Sequence, residues 1–295
     1  MSIKIHQYRP HFTDVRIENT NFCGYKCVMC PRDKHTRPQG IMSIDDFEIV
    51  LDRIGSFSGE MHLHGFGEPL LDKSLPEKLR RVRQKLPGKT TTVIFSTLGV
   101  RVSESYLYEL AEAKLTAIMV SCYGYNPESY KMVHGRNAFH IVKENLATLS
   151  KVRKERNGYP NVCIIPSGDP MLITLSTKKD GRADFFEWAE SLGHRFIEER
   201  KLHNFGDGRG YNIPKNERMC PVIRGRRNSI LQITWDLNVI PCCYDYNASI
   251  VLGNLRNQTL EEIFTGLEYF RFVRAHLAND LEDYKICQNC EKDYY

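Results

Sequence analysis

The feature that most constrains this chain is a run of three closely spaced cysteines, Cys23, Cys27 and Cys30, within FCGYKCVMC. An ordinary [4Fe–4S] cluster takes four cysteine thiolates, so three can hold such a cluster at three of its irons. If no fourth cysteine joins them, the last iron stays open to a ligand from outside the chain. Zinc is the alternative, but its common motifs pair cysteines at two separated points, which a single loop does not provide. The run therefore predicts a cluster that reacts, not one that only carries electrons.

The overall composition limits the kind of protein. A chain of 295 residues can form one large core with a small appendage. Its net charge of +5 is mild, and its basic runs at 80–85 and 224–227 lack interleaved aromatics, so we expect no nucleic-acid partner. We expect no membrane span, because no apolar stretch approaches the roughly 18 residues that one needs. The amino-terminal residues lack the apolar core of a signal peptide, and ten cysteines then favour metal binding in a cytoplasmic protein.

Runs rich in β-forming residues alternate with helical patterns along the first two thirds of the chain. Six runs predict strands: 14–20, 61–67, 91–97, 116–124, 161–167 and 195–201. The segments between them carry apolar residues at three- and four-residue spacing, which is typical of amphipathic helices. Ser43 predicts the start of the first helix, because acidic residues follow it as they follow an N-cap. The alternation predicts an α/β fold with a parallel sheet and chemistry at the carboxyl ends of its strands.

The cysteine run follows the first predicted strand directly, and its spacing resembles the signature of the radical S-adenosylmethionine (SAM) superfamily. The resemblance implies a partial (βα)6 TIM-like barrel over residues 1–201. It also implies that the open iron binds the amino and carboxylate groups of SAM, and that a transferred electron splits SAM into methionine and a 5′-deoxyadenosyl radical. Met29 departs from the pattern, since many members carry an aromatic residue just before the last cysteine.

Further segments at successive strand ends resemble the SAM contacts of this superfamily. The residues that the resemblance assigns to SAM are Gly67, Glu68, Ser96, Thr97, Ser121 and Arg136. Phe66 stands where the Gly-Gly-Glu motif has its first glycine, and Leu98 stands where a Ser-Thr-Asn-Gly turn has its amide. Arg136 is assigned to the SAM carboxylate because a guanidinium suits a bidentate partner. Each segment alone is weak, and their order along the chain is what supports the assignment.

A second set of cysteines lies in the carboxyl-terminal third. The set consists of Cys220, Cys242, Cys287 and Cys290. Taken alone, these four fit a zinc ribbon as well as an iron–sulfur cluster. A hairpin with its turn near 236–238, then a helix capped near Thr259 and the final CxxC, resembles the twitch/SPASM extension of radical SAM enzymes. The resemblance implies a domain at 202–295 with one auxiliary [4Fe–4S] cluster, because the longer form needs more cysteines than the five after residue 202. Leu237 replaces the usual glycine.

Several reactions fit these two sites. A fully ligated auxiliary cluster cannot bind SAM, so it suits an electron acceptor, and the resemblance to aminocyclitol dehydrogenases implies oxidation of a small hydroxylated substrate in antibiotic biosynthesis. The first strand begins near residue 14, which leaves no room for a leader-binding domain and disfavours a peptide or protein maturase. A sugar epimerase is the other alternative, with Cys243 as its catalytic hydrogen donor. A non-catalytic zinc or iron–sulfur scaffold is the remote one, because a scaffold gains nothing from an open iron.

The remaining expectations concern partners and the catalytic base. We expect a flavodoxin or ferredoxin electron donor, which suits the mildly basic surface, and a monomer or weak dimer. Oxidation of an alcohol also needs a base. The candidates at or beyond strand ends are His62, His64, Glu199, His203 and Arg209, and the sequence does not choose among them.

Overall fold

The computed structural model describes residues 12–86, 88, 90–166, 181–197, 203, 205–206, 220, 222–223 and 229–290. Within these residues nine strands form one sheet. The strands are β1 (Phe12–Ile17), β2 (Glu60–His62), β3 (Thr91–Ser96), β4 (Ala117–Ser121), β5 (Asn161–Ile165), β6 (Arg195–Phe196), β7 (Ser229–Ile233), β8 (Asn238–Ile240) and β9 (Gly253–Asn254). The helices are α1 (Ile44–Ile54), α2 (Leu75–Lys85), α3 (Glu104–Glu112), α4 (Pro127–His134), α5 (Phe139–Glu155), α6 (Arg182–Ser191), α7 (Leu260–Phe264), α8 (Leu267–Ala278) and α9 (Lys285–Gln288).

The first six strands lie side by side in chain order and are all parallel. Helices connect them, so the predicted α/β class with a parallel sheet is confirmed; a helix after β6 would lie outside the described residues. β2 is shorter than its sequence suggests. It ends at His62, although the backbone N–H of Leu63 still donates to the carbonyl of Val93 on β3. The backbone N–H of Glu68, in the turn after β2, donates to the carbonyl of Phe22, which ties this turn to the cysteine loop.

Local signals explain where the helices begin. The Ser43 hydroxyl accepts a hydrogen bond from the backbone N–H of Asp46 at 3.0 Å, as predicted for an N-cap. Helix α4 was not predicted, although the sequence carries its signal. Asn126 caps it in a capping box with Ser129, and a proline occupies the first turn. This short helix matters because its last residues contact the cysteine loop.

The carboxyl-terminal hairpin continues the sheet of the barrel. Strand β7 pairs with β1 in parallel, with Arg16 opposite Gln232, and the antiparallel strands β8 and β9 follow. The sequence predicted the hairpin but not this pairing, because strand partners far apart in the chain leave no local pattern. The predicted domain boundary between residues 201 and 202 lies outside the described residues, and the division stays a prediction.

Side chains on the two faces of β1 have different environments. Val15 and Ile17 point into the apolar core between the sheet and the helices. Arg16 and Glu18 alternate with them and line a cavity on the other side of the sheet. The barrel interior is therefore polar along this strand. None of the helices in the described residues is both long enough and apolar enough to cross a membrane.

Candidate active site at the carboxyl ends of the strands

A cavity of about 320 Å³ opens at the carboxyl ends of the parallel strands. Residues from both cysteine-bearing regions line it. The three amino-terminal cysteines are among them, together with Gly67, Glu68, Ser96, Thr97, Ser121, His203, Cys243 and Tyr244. The structure thus gathers at one cavity most of the side chains that the sequence assigned to cofactor and substrate.

The cysteine loop is held by the end of helix α4. In the loop, the backbone N–H groups of Lys26 and Val28 donate to the carbonyls of His134 and Val133 on the helix, at 3.3 and 2.9 Å. The Sγ of Cys27 lies 3.4 Å from Nδ1 of His134. Burial lowers the pKa of His134 to about 3, so its imidazole is neutral beside the thiol. Helix α4, which the sequence analysis did not predict, therefore holds the cysteine loop in place.

The thiols of this loop fit ligation by iron. Burial raises the pKa of Cys23 to about 11, and it raises the pKa of Cys27 well above its usual range. Without a metal both thiols would keep their protons, and a metal binds only after displacing them. Tetrahedral zinc with Zn–S bonds near 2.3 Å would bring sulfurs to roughly 3.8 Å of one another. Among the described residues, no three cysteines place their sulfurs within 4.8 Å of one another. This wider spread suits a polynuclear cluster, whose irons stand at separate corners.

Glu68 organises the turn that the sequence assigned to SAM. The residue is buried, and its carboxylate accepts hydrogen bonds from the Ser96 hydroxyl at 2.7 Å and from the backbone and hydroxyl of Thr97 at 2.9 and 2.8 Å. The backbone N–H of Leu70 donates the fourth, at 3.3 Å. A carboxylate has about four acceptor positions, so protein donors use all of them. Glu68 therefore positions Ser96 and Thr97. Its direct contact to SAM stays a prediction.

Three further assigned residues occupy different surroundings. Gly67 lies so close to the carbonyl of Thr20 that a Cβ would overlap it, which explains why this position needs glycine. Ser121 lines the cavity at the end of β4. Arg136 is exposed, lies 5.5 Å from the ring centre of Tyr25, and is not among the described residues that line the cavity. Roles in binding SAM stay predictions for Gly67, Ser121 and Arg136.

The four carboxyl-terminal cysteines come together around a second, smaller cavity. All four predicted ligands, Cys220, Cys242, Cys287 and Cys290, line a space of about 20 Å³. Their sulfurs are also too far apart for three of them to lie within 4.8 Å of one another, so a single zinc ion fits them less well than a cluster. Helix α8 closes one side through Phe272 and His276. The sequence alone left zinc and an iron–sulfur cluster equally open for these four cysteines. Their spacing in the structure favours the cluster.

Two departures from the family pattern share a structural explanation. Leu98 and Leu237 both adopt left-handed backbone conformations, with φ of 53° and 70°. Such a conformation costs about 1–2 kcal/mol in a residue with a Cβ, which is why asparagine or glycine is usual there. Both leucine side chains are completely buried. Burial of a leucine contributes about 1.5–3 kcal/mol and offsets the strain.

A buried ion pair missed by the sequence analysis joins the two parts of the site. Glu18 accepts two hydrogen bonds from the guanidinium of Arg37, at 2.6 and 2.5 Å. The same carboxylate accepts from the backbone N–H groups of Phe66 and Trp235. Arg37 also donates to the carbonyl of Tyr246. One carboxylate at the end of β1 therefore fixes the cysteine loop, the turn after β2 and the carboxyl-terminal hairpin relative to one another. No sequence pattern distinguished it from other polar residues.

The chain belongs to the radical SAM superfamily, whose family model matches residues 17–171. The model of the SPASM iron–sulfur cluster-binding domain matches residues 220–291. The protein is therefore a radical SAM enzyme with a TIM-like partial barrel. Its cofactors are SAM, the [4Fe–4S] cluster that binds it and an auxiliary cluster, as the sequence predicted. The roles of individual site residues stay predictions.

Known proteins resemble the chain at low sequence identity. The SAM-dependent 2-deoxy-scyllo-inosamine dehydrogenase of Niallia circulans is 21% identical over 282 residues, which cover 95% of this chain and 92% of that protein. The uncharacterized protein MJ0804 of Methanocaldococcus jannaschii is 24% identical, but the match covers 67% of this chain and only 62% of that protein. The crystal structure of BtrN in complex with AdoMet and 2-DOIA superposes with a TM-score of 0.65 at 20% identity, covering 95% and 93% of the two chains.

Proposed function

We propose that this enzyme oxidises a secondary alcohol of a small hydroxylated substrate, such as a sugar or aminocyclitol, to a ketone. One observation carries the proposal. Cys243 lines the cavity that contains the amino-terminal cysteines, and Cys242, the adjacent residue, lines the cavity of the auxiliary cysteines. The predicted electron acceptor therefore lies next to the space where a substrate radical would form. A short path between the two suits transfer of a second electron out of the substrate.

The proposed reaction divides into transfers that balance. The substrate loses a hydrogen atom from carbon, a proton from its hydroxyl and one electron, and its C–OH becomes C=O. When bound, SAM and its cluster supply the radical that takes the hydrogen atom, and the auxiliary cluster supplies an electron acceptor. The proton needs a base in the cavity. His203 lines the cavity and its Nδ1 lies 2.6 Å from the hydroxyl of Tyr244, so this pair can receive and pass on a proton.

Of the other predicted bases within the described residues, only His64 lines the cavity. His62 is not among the described residues that do so. Glu199 and Arg209 lie outside the described residues. We therefore take His203 as the base to test first, by replacing it with glutamine and measuring ketone formation against pH. Loss of the acidic limb, where the rate falls because a base becomes protonated, would identify it, and an unchanged profile would direct the search to His64.

The relative from Niallia circulans supports the reaction class. Its name states SAM-dependent dehydrogenation of 2-deoxy-scyllo-inosamine, and the match extends over nearly the whole length of both chains. It therefore covers the region of the auxiliary cysteines as well as the barrel. At 21% identity the substrate itself does not transfer.

A cysteine variant tests the proposal directly. The enzyme is reconstituted without oxygen and supplied with dithionite, SAM and a panel of polyols, and 5′-deoxyadenosine and ketone are measured. We expect equal amounts of both products. Cys242→Ala should still release 5′-deoxyadenosine but form little ketone, because the second electron has no acceptor. Cys163→Ala on β5, far along the chain from either cysteine set, is the control and should keep both activities. Full ketone formation by Cys242→Ala would refute the proposal.

Epimerisation is a second candidate, favoured by the position of Cys243. Its thiol lines the same cavity as the three amino-terminal cysteines, where it can return a hydrogen atom to a substrate radical. In Cys243→Ala, an epimerase would lose its inverted product while SAM cleavage continued. Unchanged turnover would dismiss Cys243 as the donor and leave the dehydrogenase.

We also propose an electron donor, an oligomeric state and a cellular compartment for the enzyme. A flavodoxin or ferredoxin reduces the first cluster, and the protein acts as a monomer or weak dimer. We place it in the cytoplasm, because a chain with ten cysteines, seven of them predicted cluster ligands, suits a compartment where glutathione keeps thiols reduced. Sedimentation of the reconstituted protein tests the oligomeric state.

A further inference from the structure

Three polar side chains that line the cavity have atoms without a partner among the described residues. Arg16 on β1 and Gln232 on β7 stand opposite each other in register, and both line the cavity. Among the described residues none forms a hydrogen bond or ion pair with either side chain; Gln232 is 95% buried, and the buried Nε of Arg16 has no partner. The Nδ1 of His64, close by, also has none. Buried polar groups are normally satisfied, so such a cluster indicates a ligand that satisfies them.

The described residues that line the cavity include two arginines and two glutamates, and both carboxylates are already engaged. Arg37 is neutralised by Glu18 through their paired hydrogen bonds. Burial, together with the nearby Arg16 and His62, holds the pKa of His64 well below its usual range, so His64 is neutral. The carboxylate of Glu68 already accepts four hydrogen bonds from protein donors. Arg16 is therefore the one cation among the described lining residues without a counter-charge.

We propose that the hydroxylated substrate carries an anionic group, a carboxylate or a phosphate, that binds between Arg16 and Gln232. The guanidinium donates paired hydrogen bonds to the anion, and the Gln232 amide donates another. This inference rests on the proposed function, because it names the substrate class of the same cavity. It also sets this enzyme apart from the Niallia circulans relative. That enzyme is named for an inosamine, and an amine would carry a positive charge that Arg16 repels.

A set of four hexoses tests the charge preference. Glucose, glucosamine, glucuronate and glucose 6-phosphate share a ring and differ in charge. Each is titrated calorimetrically into the reconstituted enzyme with saturating SAM and without reductant, so that no turnover occurs. We expect at least one anionic hexose to bind about tenfold or more tightly than glucose, and glucosamine to bind more weakly than glucose. Comparison of glucuronate with glucose 6-phosphate shows whether the site takes a carboxylate or a phosphate.

Matched variants locate the preference at Arg16. Arg16→Met should bring the anionic hexoses to the affinity of glucose, and Arg16→Lys should keep part of the preference. Arg101→Met is the control, since Arg101 is exposed, pairs with Glu144 and is not among the described residues that line the cavity. If Arg16→Met fails to fold, Gln232→Glu serves instead. Its carboxylate would pair with Arg16 across the register and abolish the preference without removing the cation.

Three results would overturn the inference. The first is that neither anion binds about tenfold more tightly than glucose, whether or not it binds at all. The second is an anion preference that survives both Arg16→Met and Gln232→Glu. The third is a loss of SAM affinity in Arg16→Met, which would mean that Arg16 holds the carboxylate of SAM. All three leave SAM cleavage and ketone formation by the wild type untouched, so they are distinguishable from failure of the proposed reaction.

Discussion

Replacement of Lys78 tests how the turn after β2 is held in place. Lys78 on α2 is completely buried, and its ammonium donates to the carboxylate of Asp72 and to the carbonyl of Met42, both at 2.6 Å. Asp72 also accepts a hydrogen bond from the Asn19 amide, just before the cysteine loop. The pair therefore joins α2 to the end of β1 and to the turn that contains Glu68.

Lys78→Met leaves the Asp72 carboxylate buried without a counter-charge. Breaking a buried pair in this way costs about 3–5 kcal/mol of the free energy of unfolding. In Lys78→Met/Asp72→Asn no charge remains buried, so we expect at least half of this loss to be recovered. The measurement is urea unfolding of the reconstituted protein under anaerobic conditions, followed by circular dichroism.

A surface lysine on the same helix provides the control. Lys85 lies near Glu48 and Asp52 at distances as short as those of Lys78, but its partners are partly or largely exposed. Because exposed pairs contribute only about 0–1 kcal/mol, Lys85→Met should change the unfolding free energy little. Equal effects of Lys78→Met and Lys85→Met, or no recovery in the double variant, would refute the argument from burial.

Three shorter predictions follow. Burial lowers the pKa of His194 to about 4. Between about pH 6.5 and pH 4 the unfolded chain therefore gains a proton that the folded chain does not, and the free energy of unfolding falls by about 1.4 kcal/mol per pH unit. His194→Gln should flatten that slope in urea titrations, and equal slopes in variant and wild type would contradict the prediction. Iron analysis should give about eight irons per wild-type chain and about four for Cys220→Ala, whereas bound zinc would contradict both clusters. Gly67→Ala should weaken SAM binding in equilibrium dialysis, because its Cβ would overlap the Thr20 carbonyl; unchanged affinity would show that the turn can shift.

Local pattern accounts for what was predictable. The spacing of apolar residues indicates the alternation of strands and helices. The Ser43 cap and the hairpin turn depend on adjacent residues, so they too were predicted correctly. Helix α4 was missed although Asn126 and Pro127 mark its start. This helix could have been predicted, since the residues that mark its start are neighbours in the sequence. The capping box formed by Asn126 and Ser129 is the signal that would have found it.

The pairing of β7 with β1 is a different matter. The two strands are separated by most of the chain, and no residue near either one encodes which strand it will join. The same holds for the contact between Glu18 and Arg37 and for the hydrogen bonds that Glu68 receives. Each depends on elements that meet only after the barrel closes.

The amino-acid sequence by itself determined the class of enzyme, because ligand spacing and strand ends are properties of short segments. Only the tertiary structure decided which polar side chains are satisfied. Arg16 looks like any strand arginine in the sequence, and its lack of an ion-pair partner among the described residues follows from where the charges around the cavity lie. Electrostatic balance at a buried site is a sum over distant parts of the chain, and folding is what brings the members of that sum together.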